Sequence, residues 1–295
     1  MRPRYKPMKI NGHTRVAGIF GDPISHTLSP AMHNAAFEAV GLNAVYVPFH
    51  VKAESKGALK AAVESVRAMN MMGVNVTIPH KERVMRFLDE VDPHAIDIGA
   101  VNTIVNRDGK LFGCNTDGPG YLLSLRKETG FSPAGKRVVI IGAGGAARGI
   151  LYSLLGLNPA SVVLANRTIK RADALASEFA KKFSVPVETS ELDRAVMEKA
   201  LCSADLVVNT TSIGMMGKGE LGLPMKALPS KAVVSDIVYR PLKTGLIKAA
   251  EKMGLKTHAG LGMLVRQGAI GFELWTGRKA PVSVMEKAAL KALRQ

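Results

Sequence analysis

The segment that most constrains the fold runs from Arg137 to Ile150 and reads R-V-V-I-I-G-A-G-G-A-A-R-G-I. An apolar run rich in β-branched residues breaks into a glycine-rich turn and resumes with helix-forming alanines, which predicts a strand, a tight turn and a helix. Gly142 would allow the turn, and Gly144 would let the backbone approach a diphosphate at the start of the helix, where free N–H groups favour negative charge. The same sequence is also compatible with an ordinary tight turn in an α/β protein, so the flanking sequence is needed to distinguish the two interpretations.

Length and composition set the class of protein. With 295 residues the chain can form two domains that each bury a core, and 47% hydrophobic residues with 29 glycines are typical of a soluble α/β enzyme. No apolar run approaches the roughly eighteen residues of a membrane-spanning helix, and the basic start of the chain has no apolar segment behind it, so neither secretion nor membrane insertion is expected. Cys114 and Cys202 are too few for a disulfide framework and lack metal-ligand spacing, which favours a cytoplasmic protein without a bound metal.

The formal net charge of +16 admits two interpretations. A basic face could bind nucleic acid, but the lysines and arginines are scattered along helical faces, and no block of interleaved basic and aromatic residues occurs. A solvated basic surface that attracts an anionic substrate and a phosphate-rich cofactor fits better. We therefore expect a small-molecule substrate, no nucleic-acid partner and no membrane. The sequence is compatible with a monomer or a homodimer.

The order of predicted elements indicates two α/β domains. Before the glycine-rich turn, strands alternate with helices, which predicts a mostly parallel sheet, and Asp108-Gly109 predicts an added antiparallel hairpin. The strands predicted there are 15–20, 44–47, 73–78, 101–105 and 110–113, and the helices are 29–40, 55–69 and 118–129. After the turn, strands again alternate with helices in the order of a doubly wound nucleotide-binding domain. The strands predicted there are 161–165, 185–187, 206–209 and 233–238, and the last helices are 244–253, 262–276 and 283–293.

The end of the second strand of the nucleotide domain bears on the choice of cofactor. It reads Asn166-Arg167-Thr168, with Lys170 and Arg171 just beyond. NAD-binding domains place an acidic residue here to accept the ribose 2′-hydroxyl, whereas an arginine suits the 2′-phosphate of NADP. We therefore predict NADP. For Arg171 alone, a solvent-facing helix start is an equally good interpretation.

Four polar segments predict a second cluster: 21–30, 75–82, 99–103 and 115–120. Each is a strand end or turn rich in Ser, Thr, Asn, Asp or Lys, the residue types that hydrogen-bond a hydroxylated and carboxylated small molecule. Together they suggest one polar pocket. Each also has a structural alternative: Ser29 could cap a helix, Asn75 and Thr77 could be strand-edge partners, and 115–117 could cap the following helix.

Seven segments, in chain order, carry a resemblance to a known family. They read G-D-P-I-S-H-T-L-S-P-A-M-H-N, N-V-T-I-P-H-K-E, G-A-V-N-T, N-T-D-G-P-G, G-A-G-G-A-A-R, N-R-T-I-K-R-A and G-M-L-V-R-Q. The chain resembles the shikimate dehydrogenase family from about Val16 to Gly277. Because the segments come from both predicted domains, this resemblance is far more specific than the glycine-rich turn.

The resemblance implies a reaction and an architecture. Members of the family reduce 3-dehydroshikimate to shikimate with NADPH, reversibly, on the way to chorismate and the aromatic amino acids. The implied fold has a substrate-binding and catalytic domain, residues 1–117 with 263–295, and a Rossmann-type NADP-binding domain, residues 118–262, with a cleft between them. Lys81 and Asp117 match the catalytic pair, which suits the chemistry because a ketone that accepts a hydride also needs a proton. The sequence leaves open whether Lys81 transfers the proton or acts as an electrostatic hydrogen-bond donor.

The resemblance also implies binding residues. Thr27 and Ser29 match the residues that bind the substrate carboxylate, and the further substrate contacts match Thr77, Asn102, Asp117, Tyr239 and Gln267. The positions that match the cofactor contacts are Gly142, Ala143, Gly144, Gly145, Ala146, Asn166, Arg167, Thr168, Arg171, Ile237 and Gly260. The family usually has serine where this chain has Thr27, and the added methyl group leaves strict preference for shikimate over quinate open.

Two other functions remain as alternatives. One is a quinate/shikimate dehydrogenase that uses NAD, against which the Arg167 segment argues. The other is a non-catalytic NADP-binding protein, against which the presence of both Lys81 and Asp117 argues.

Overall fold

The computed structural model describes residues 10–294, so the basic segment Arg2–Lys9 lies outside the described residues. The chain divides into two compact units, Met1–Asn115 with Gly268–Gln295, and Thr116–Gln267. These divisions differ by a few residues from the predicted domain boundaries and assign both Asp117 and Gln267 to the second unit. Among residues 10–294, no helix is both long and apolar enough to cross a bilayer.

The first unit contains a six-stranded sheet. Its strands are β1 (Arg15–Gly21), β2 (Ala44–His50), β3 (Gly73–Val76), β4 (Glu90–Val91), β5 (Thr103–Arg107) and β6 (Lys110–Cys114), and its first helices are α1 (Ser29–Ala39), α2 (Ala58–Ala68) and α3 (Pro93–Ile98). The strand order is β2-β1-β3-β5-β6-β4. Strand β1 is parallel to β2 and β3, while β5 is antiparallel to both β3 and β6. Parallel and antiparallel pairing therefore combine as the sequence predicts.

The hairpin between β5 and β6 forms at the predicted dipeptide. Asp108 and Gly109 have positive φ angles of 51° and 89°, as a two-residue hairpin turn with the right twist requires. The sequence missed β4 and α3. Strand β4 has only two residues, which is too short to show the alternation of apolar and polar residues that identifies a strand.

The core of the first unit lies between the sheet and its helices. On α2, Leu59, Val63 and Val66 are buried, a spacing that places them on one helical face. They pack in one cluster with Val74 of β3 and Ile104 of β5. This packing fixes the sheet from which the polar loops of the unit emerge.

The second unit and the end of the chain contain the remaining elements. The strands are β7 (Arg137–Ile141), β8 (Ser161–Ala165), β9 (Val187–Ser190), β10 (Leu206–Asn209), β11 (Val233–Asp236) and β12 (Lys256–Ala259), and the helices are α4 (Asp117–Thr129), α5 (Gly145–Leu155), α6 (Ile169–Ala180), α7 (Arg194–Leu201), α8 (Gly245–Lys252), α9 (Gly260–Thr276) and α10 (Val282–Leu293). Helix α9 begins in the second unit and ends in the first, to which α10 also belongs.

The sheet of the second unit is doubly wound. Its order is β12-β11-β10-β7-β8-β9, and every pair of neighbouring strands is parallel. The predicted fold class, a mostly parallel α/β unit with a Rossmann-type unit, is thus confirmed. The sequence missed β12, because K-T-H-A has no apolar run, and it predicted β9 at 185–187, about two residues early.

Candidate active site

Three loops meet at one edge of the first sheet. Strands β1 and β3 end there, and β5 begins there, since Phe20 pairs with Val76 and Asn75 pairs with Thr103. The loops are tied by backbone hydrogen bonds: the amide of Thr77 donates to the carbonyl of Phe20 at 2.9 Å, and the amide of Asp22 donates to Ile78 at 2.9 Å. The polar segments after β1 and β3 and before β5 therefore lie side by side.

Lys81 is held in this group of loops by its backbone. Its carbonyl accepts a hydrogen bond from the amide of Val101 at 2.9 Å. Directly before it, the buried ring of His80 hydrogen-bonds through Nε2 to the carbonyl of Val51 at 2.7 Å. The main chain at Lys81 is thus anchored on two sides without use of the lysine side chain. The structure places Lys81 in the same loop cluster as the predicted substrate residues Thr77 and Asn102.

Ser29 does not cap α1, contrary to one of the two sequence interpretations. The residue that precedes the helix is Leu28, and no side chain caps this end. Ser29 is instead the first helical residue, is 2% exposed, and hydrogen-bonds through its side chain to the phenol of Tyr46. Its amide donates to the hydroxyl of Thr27 at 3.2 Å. The two predicted carboxylate-binding residues are therefore adjacent in space.

In the second unit, Asp117 begins α4 and is 4% exposed. A carboxylate in the first turn of a helix is favoured by the helix dipole. One turn later, a Cβ atom on Gly120 would lie 2.6 Å from the amide nitrogen of Gln267, so only glycine lets α4 approach α9 so closely. This approach brings the first turn of α4, which contains Asp117, against Gln267. Asp117 and Gln267 accordingly belong to the same compact unit. Thr116, which precedes α4, makes no side-chain cap.

The glycine-rich turn has the features that a diphosphate requires. Gly142 has a φ of +111°, and a Cβ there would lie 2.6 Å from Oγ1 of Thr210. Gly144 precedes α5, has no side chain to cap it, and would have nothing within 4 Å of an added Cβ. The backbone at Gly144 is therefore open to the approach of a ligand, next to the start of α5, where free amides favour an anion. These residues fit the diphosphate of a dinucleotide.

The end of β8 presents the predicted phosphate-recognition segment. The side-chain amide of Asn166 donates to the carbonyl of Thr168 at 2.8 Å, which shapes the turn into α6. Arg167, Thr168 and Arg171 are all exposed. Since β8 is hydrogen-bonded to β7, this turn lies beside the glycine-rich turn at the carboxyl edge of the sheet, where doubly wound sheets bind ligands.

At the carboxyl ends of β11 and β12, two predicted cofactor positions contact each other. A Cβ atom on Gly260 would lie 2.1 Å from the carbonyl oxygen of Ile237, so the start of α9 packs directly on this backbone. Tyr239 follows two residues later, and burial raises the pKa of its phenol, with Arg240 acting in the opposite direction. Gly260, Ile237 and Tyr239 are thus brought together. Only glycine fits at position 260, because any side chain there would overlap the backbone of Ile237.

Sequence reasoning missed several buried polar residues around these loops. In the second unit, Asp236 is 1% exposed and accepts hydrogen bonds from Nδ2 of Asn209 at 2.9 Å and Oγ1 of Thr244 at 2.7 Å. Burial raises the pKa of Asp236. In the first unit, Tyr46 was predicted only as a strand residue, and Thr103 was included in the polar segment 99–103 without a role of its own. No local pattern marks such residues, because their partners lie far away in the sequence.

Within residues 10–294, no cluster of three or more His, Cys, Asp or Glu side chains is arranged to hold a metal ion. The polar groups in both units are instead hydroxyls, amides, a lysine and a carboxylate. They can bind an anionic, hydroxylated molecule and move a proton.

Three family models match the chain. The shikimate dehydrogenase substrate binding domain matches residues 19–104, shikimate / quinate 5-dehydrogenase matches residues 125–219, and the shikimate 5′-dehydrogenase C-terminal domain matches residues 260–290. These matches cover both compact units and include most of the seven segments on which the resemblance was based.

Individual relatives match over nearly their whole length. The shikimate dehydrogenase (NADP(+)) of Methanopyrus kandleri is 46% identical over 97% of this chain and 99% of its own. That of Symbiobacterium thermophilum is 48% identical over 96% of both chains. The crystal structure of shikimate 5-dehydrogenase from Thermus thermophilus in complex with NADP(H) and shikimate is 40% identical, covers 94% of this chain and 99% of its own, and superposes with a TM-score of 0.83. The resemblance predicted from the sequence is confirmed, and the chain belongs to the shikimate dehydrogenase family.

Proposed function

We propose that this chain is an NADP-dependent shikimate dehydrogenase that reversibly reduces 3-dehydroshikimate to shikimate in the pathway to chorismate and the aromatic amino acids. The observation that carries the proposal is the near full-length match to relatives named for this activity, such as the 46% identical protein of Methanopyrus kandleri. The use of NAD with quinate, and a non-catalytic role, are not favoured. The glycine-rich turn supports a dinucleotide cofactor, and the Arg167 segment supports NADP over NAD.

NADPH, when bound, supplies the hydride that reduces the ketone carbon. On the protein side, the first amides of α5 hold the diphosphate, and Arg167 pairs with the 2′-phosphate. The open space above Gly144 and the exposure of Arg167 support these roles. The full set of proposed cofactor-binding residues is Gly142, Ala143, Gly144, Gly145, Ala146, Asn166, Arg167, Thr168, Arg171, Ile237 and Gly260.

The substrate carboxylate is bound by the hydroxyls of Thr27 and Ser29, which are adjacent at the start of α1. The remaining substrate contacts, mainly to the ring hydroxyls, come from Thr77, Asn102, Tyr239 and Gln267. Hydroxyl and amide groups suit this role because they recognise oxygen atoms by direction and not by charge alone.

Lys81 and Asp117 handle the proton. When the ketone carbon accepts a hydride, its oxygen gains negative charge and takes up a proton to become the hydroxyl of shikimate. In the reverse direction, the hydroxyl loses that proton as the hydride leaves. The ammonium of Lys81 stabilises the oxygen, and the pair of Lys81 and Asp117 supplies the proton to it; in the reverse direction the same pair takes that proton back from the hydroxyl.

We further propose a cytoplasmic enzyme, monomeric or homodimeric, without a nucleic-acid partner. Cys114 and Cys202 are both free thiols, which suits a reducing compartment. Burial raises the pKa of Cys114 to about 12, so this thiol is kept in its unreactive protonated form.

The direct test is a four-way assay with the full chain, in which the absorbance of reduced cofactor is followed with shikimate or quinate and with NADP or NAD. We expect the highest kcat/KM for shikimate with NADP. A preference for quinate with NAD would support the catabolic alternative. No turnover in any of the four mixtures would leave the binding-protein interpretation.

Replacing Arg167 by alanine should raise the KM for NADP by at least about tenfold and leave the KM for NAD nearly unchanged, because a hydrogen-bonded charge pair with the 2′-phosphate contributes about 1.5 to 3 kcal/mol. The measurement is steady-state kinetics with each cofactor at saturating shikimate. Lys170→Ala is the matched control, since Lys170 is an exposed cation in the same helix start but is assigned no contact. Equal changes for the two cofactors would show that Arg167 does not read the 2′-phosphate.

A further inference from the structure

Four buried polar side chains form a connected chain beneath the substrate loops of the first unit. Tyr46 of β2 is 2% exposed, Asn75 of β3 is 4%, Asn102 is 2% and Thr103 of β5 is 0%. Burial of polar groups is costly unless they are hydrogen-bonded, and these four satisfy one another. The chain reaches a predicted substrate residue, Asn102. Tyr46 is predicted only as a strand residue, and Thr103 belongs to the predicted polar segment 99–103 but is assigned no role of its own.

A backbone carbonyl sets the direction of the hydrogen bonds. Nδ2 of Asn75 lies 3.3 Å from the carbonyl of Asn102, which can only accept, and 3.1 Å from Oγ1 of Thr103. Oδ1 of Asn75 must then face the other way, where the hydroxyl of Tyr46 donates to it at 2.7 Å. The orientation of the Asn75 amide is therefore fixed by its neighbours on both sides.

The far end of the chain orients Asn102. Because Oγ1 of Thr103 already accepts from Asn75, its hydroxyl proton is available to donate, and it does so to Oδ1 of Asn102 at 3.0 Å. The carboxamide of Asn102 is thereby turned so that its oxygen faces Thr103 and its amino group is at the opposite end. Every donor in the series Tyr46, Asn75, Thr103 points toward Asn102.

The near end of the chain is held by ring packing. The ring of His33 stacks on the ring of Tyr46, with centroids 4.4 Å apart and planes 11° from parallel. Burial raises the pKa of Tyr46 well above its usual range, so its proton stays on the phenol. Tyr46 is therefore a permanent donor in a fixed position.

We propose that Tyr46 and Thr103 are positioning residues that, through Asn75, set the direction in which the carboxamide of Asn102 meets the substrate. This inference rests on the proposed function, because it takes Asn102 as a substrate contact. The amino group of Asn102 then donates to a ring hydroxyl oxygen of shikimate, and an inverted amide would present an oxygen in its place. Neither positioning residue is assigned a contact with the substrate.

Replacing Thr103 by valine keeps the side-chain shape but removes the hydroxyl that orients Asn102. We expect the KM for shikimate to rise about tenfold, with a smaller change in kcat and no change in the KM for NADP, since one hydrogen bond of ordinary strength is lost at the substrate side only. Thr103→Ser, which keeps the hydroxyl, should restore the KM for shikimate. Thr276→Val is the matched control, because Oγ1 of Thr276 donates to the carbonyl of Phe272 within its own helix.

A second variant tests the other end of the chain. Tyr46→Phe should shift the KM for shikimate in the same direction, and the double variant should show less than the product of the two single effects, because both act through one series of hydrogen bonds. Thermal unfolding followed by circular dichroism establishes that each variant is folded. The phenol of Tyr46 also hydrogen-bonds to the side chain of Ser29, a proposed carboxylate contact, so Tyr46→Phe does not replace the substitution at position 103. If Thr103→Val does not fold, Thr103→Ala, which also removes the hydroxyl, is used in its place.

The outcomes separate this inference from the proposed function. Absence of shikimate turnover in the unmodified chain would refute the proposed function itself. An active chain in which a folded Thr103→Val or Tyr46→Phe variant keeps its KM for shikimate would overturn the positioning role. Equal effects on the KM values for shikimate and NADP, or an equal effect of Thr276→Val, would show a general loss of stability and would also overturn it.

Discussion

Replacing Lys81 by alanine should lower kcat by about a thousandfold while the Kd for shikimate changes by less than about tenfold. The ammonium group is needed most when negative charge develops on the substrate oxygen, so its loss affects the transition state more than the bound substrate. The loop itself should survive the substitution, since the main chain is held by the bond from the amide of Val101 to the carbonyl of Lys81 at 2.9 Å. The substitution should therefore lower kcat strongly without a comparable change in the Kd for shikimate.

Steady-state kinetics in both directions gives kcat, and calorimetric titration with shikimate gives Kd. Lys60→Ala is a suitable control, because Lys60 is an exposed lysine on α2 of the same unit. A purified Lys81→Ala variant that keeps its kcat would remove Lys81 from the mechanism. A large rise in Kd with little change in kcat would assign Lys81 to substrate binding instead.

The loop cluster around Lys81 shows how far sequence reasoning reaches. The strand ends were predictable, because β1 and β3 are short apolar runs that stop at polar turns, and parallel strands bring such turns to one edge. The hydrogen bonds that join the loops, such as that from Asp22 to Ile78, were not predictable, since each joins residues distant in the chain. The sequence thus identified the members of the cluster but not its connections.

Ser29 shows a second limit of prediction from the sequence, which concerns the exact start of a helix. A serine directly before Pro30 is typical of a helix cap, and the pattern gives no reason to prefer another role. In the structure the helix begins one residue earlier, and the hydroxyl turns toward the phenol of Tyr46. A difference of one residue at a helix end, which sequence patterns do not resolve, decides whether the serine hydroxyl caps the helix or hydrogen-bonds to another element.

The positioning role of Tyr46 and Thr103 could not have been recognised from the sequence, although Thr103 lies in the predicted polar segment 99–103. Both are favoured in strands, and both lie in short runs that predict a buried strand. Their hydroxyls matter only because Asn75 lies between them on β3. Likewise, Gly120 gives no sign in the sequence that it faces Gln267, although the structure leaves no room for a Cβ atom there.

Lowering the pH from about 7.5 to about 5 should destabilise each compact unit by about 2 kcal/mol, through His33 in the first and His258 in the second. His33 is 0% exposed, neither ring nitrogen has a hydrogen-bond partner among the described residues, and burial lowers its pKa to about 3. His258 is 1% exposed, and burial lowers its pKa to about 4. Its Nε2 atom lies 4.0 Å from the carboxylate of Glu128.

The sign follows from the two states. Below about pH 6.5, a histidine in the unfolded chain binds a proton that the folded chain does not bind. The free energy of unfolding is therefore not reduced by these histidines above that pH. It then falls by about 1.4 kcal/mol for each pH unit until the folded pKa is reached. The lowered pKa values of Asp22 and Asp89 act only in more acidic solution, below the ordinary carboxyl range. The raised pKa of Asp236, caused by burial, acts in the opposite direction.

Substitution of His33 isolates the contribution of the first unit. The single tryptophan of the sequence, Trp275, lies in the first unit with its ring 5.3 Å from that of His33, so its fluorescence during urea unfolding reports on that unit. In His33→Leu, the dependence of the unfolding free energy on pH between about 6.5 and 5 should become nearly flat by this probe. His13→Leu, at an exposed position, should keep the slope of the unmodified chain. If His33→Leu also keeps that slope, the acid sensitivity of the first unit arises from another group, and the burial of a neutral His33 is not its cause.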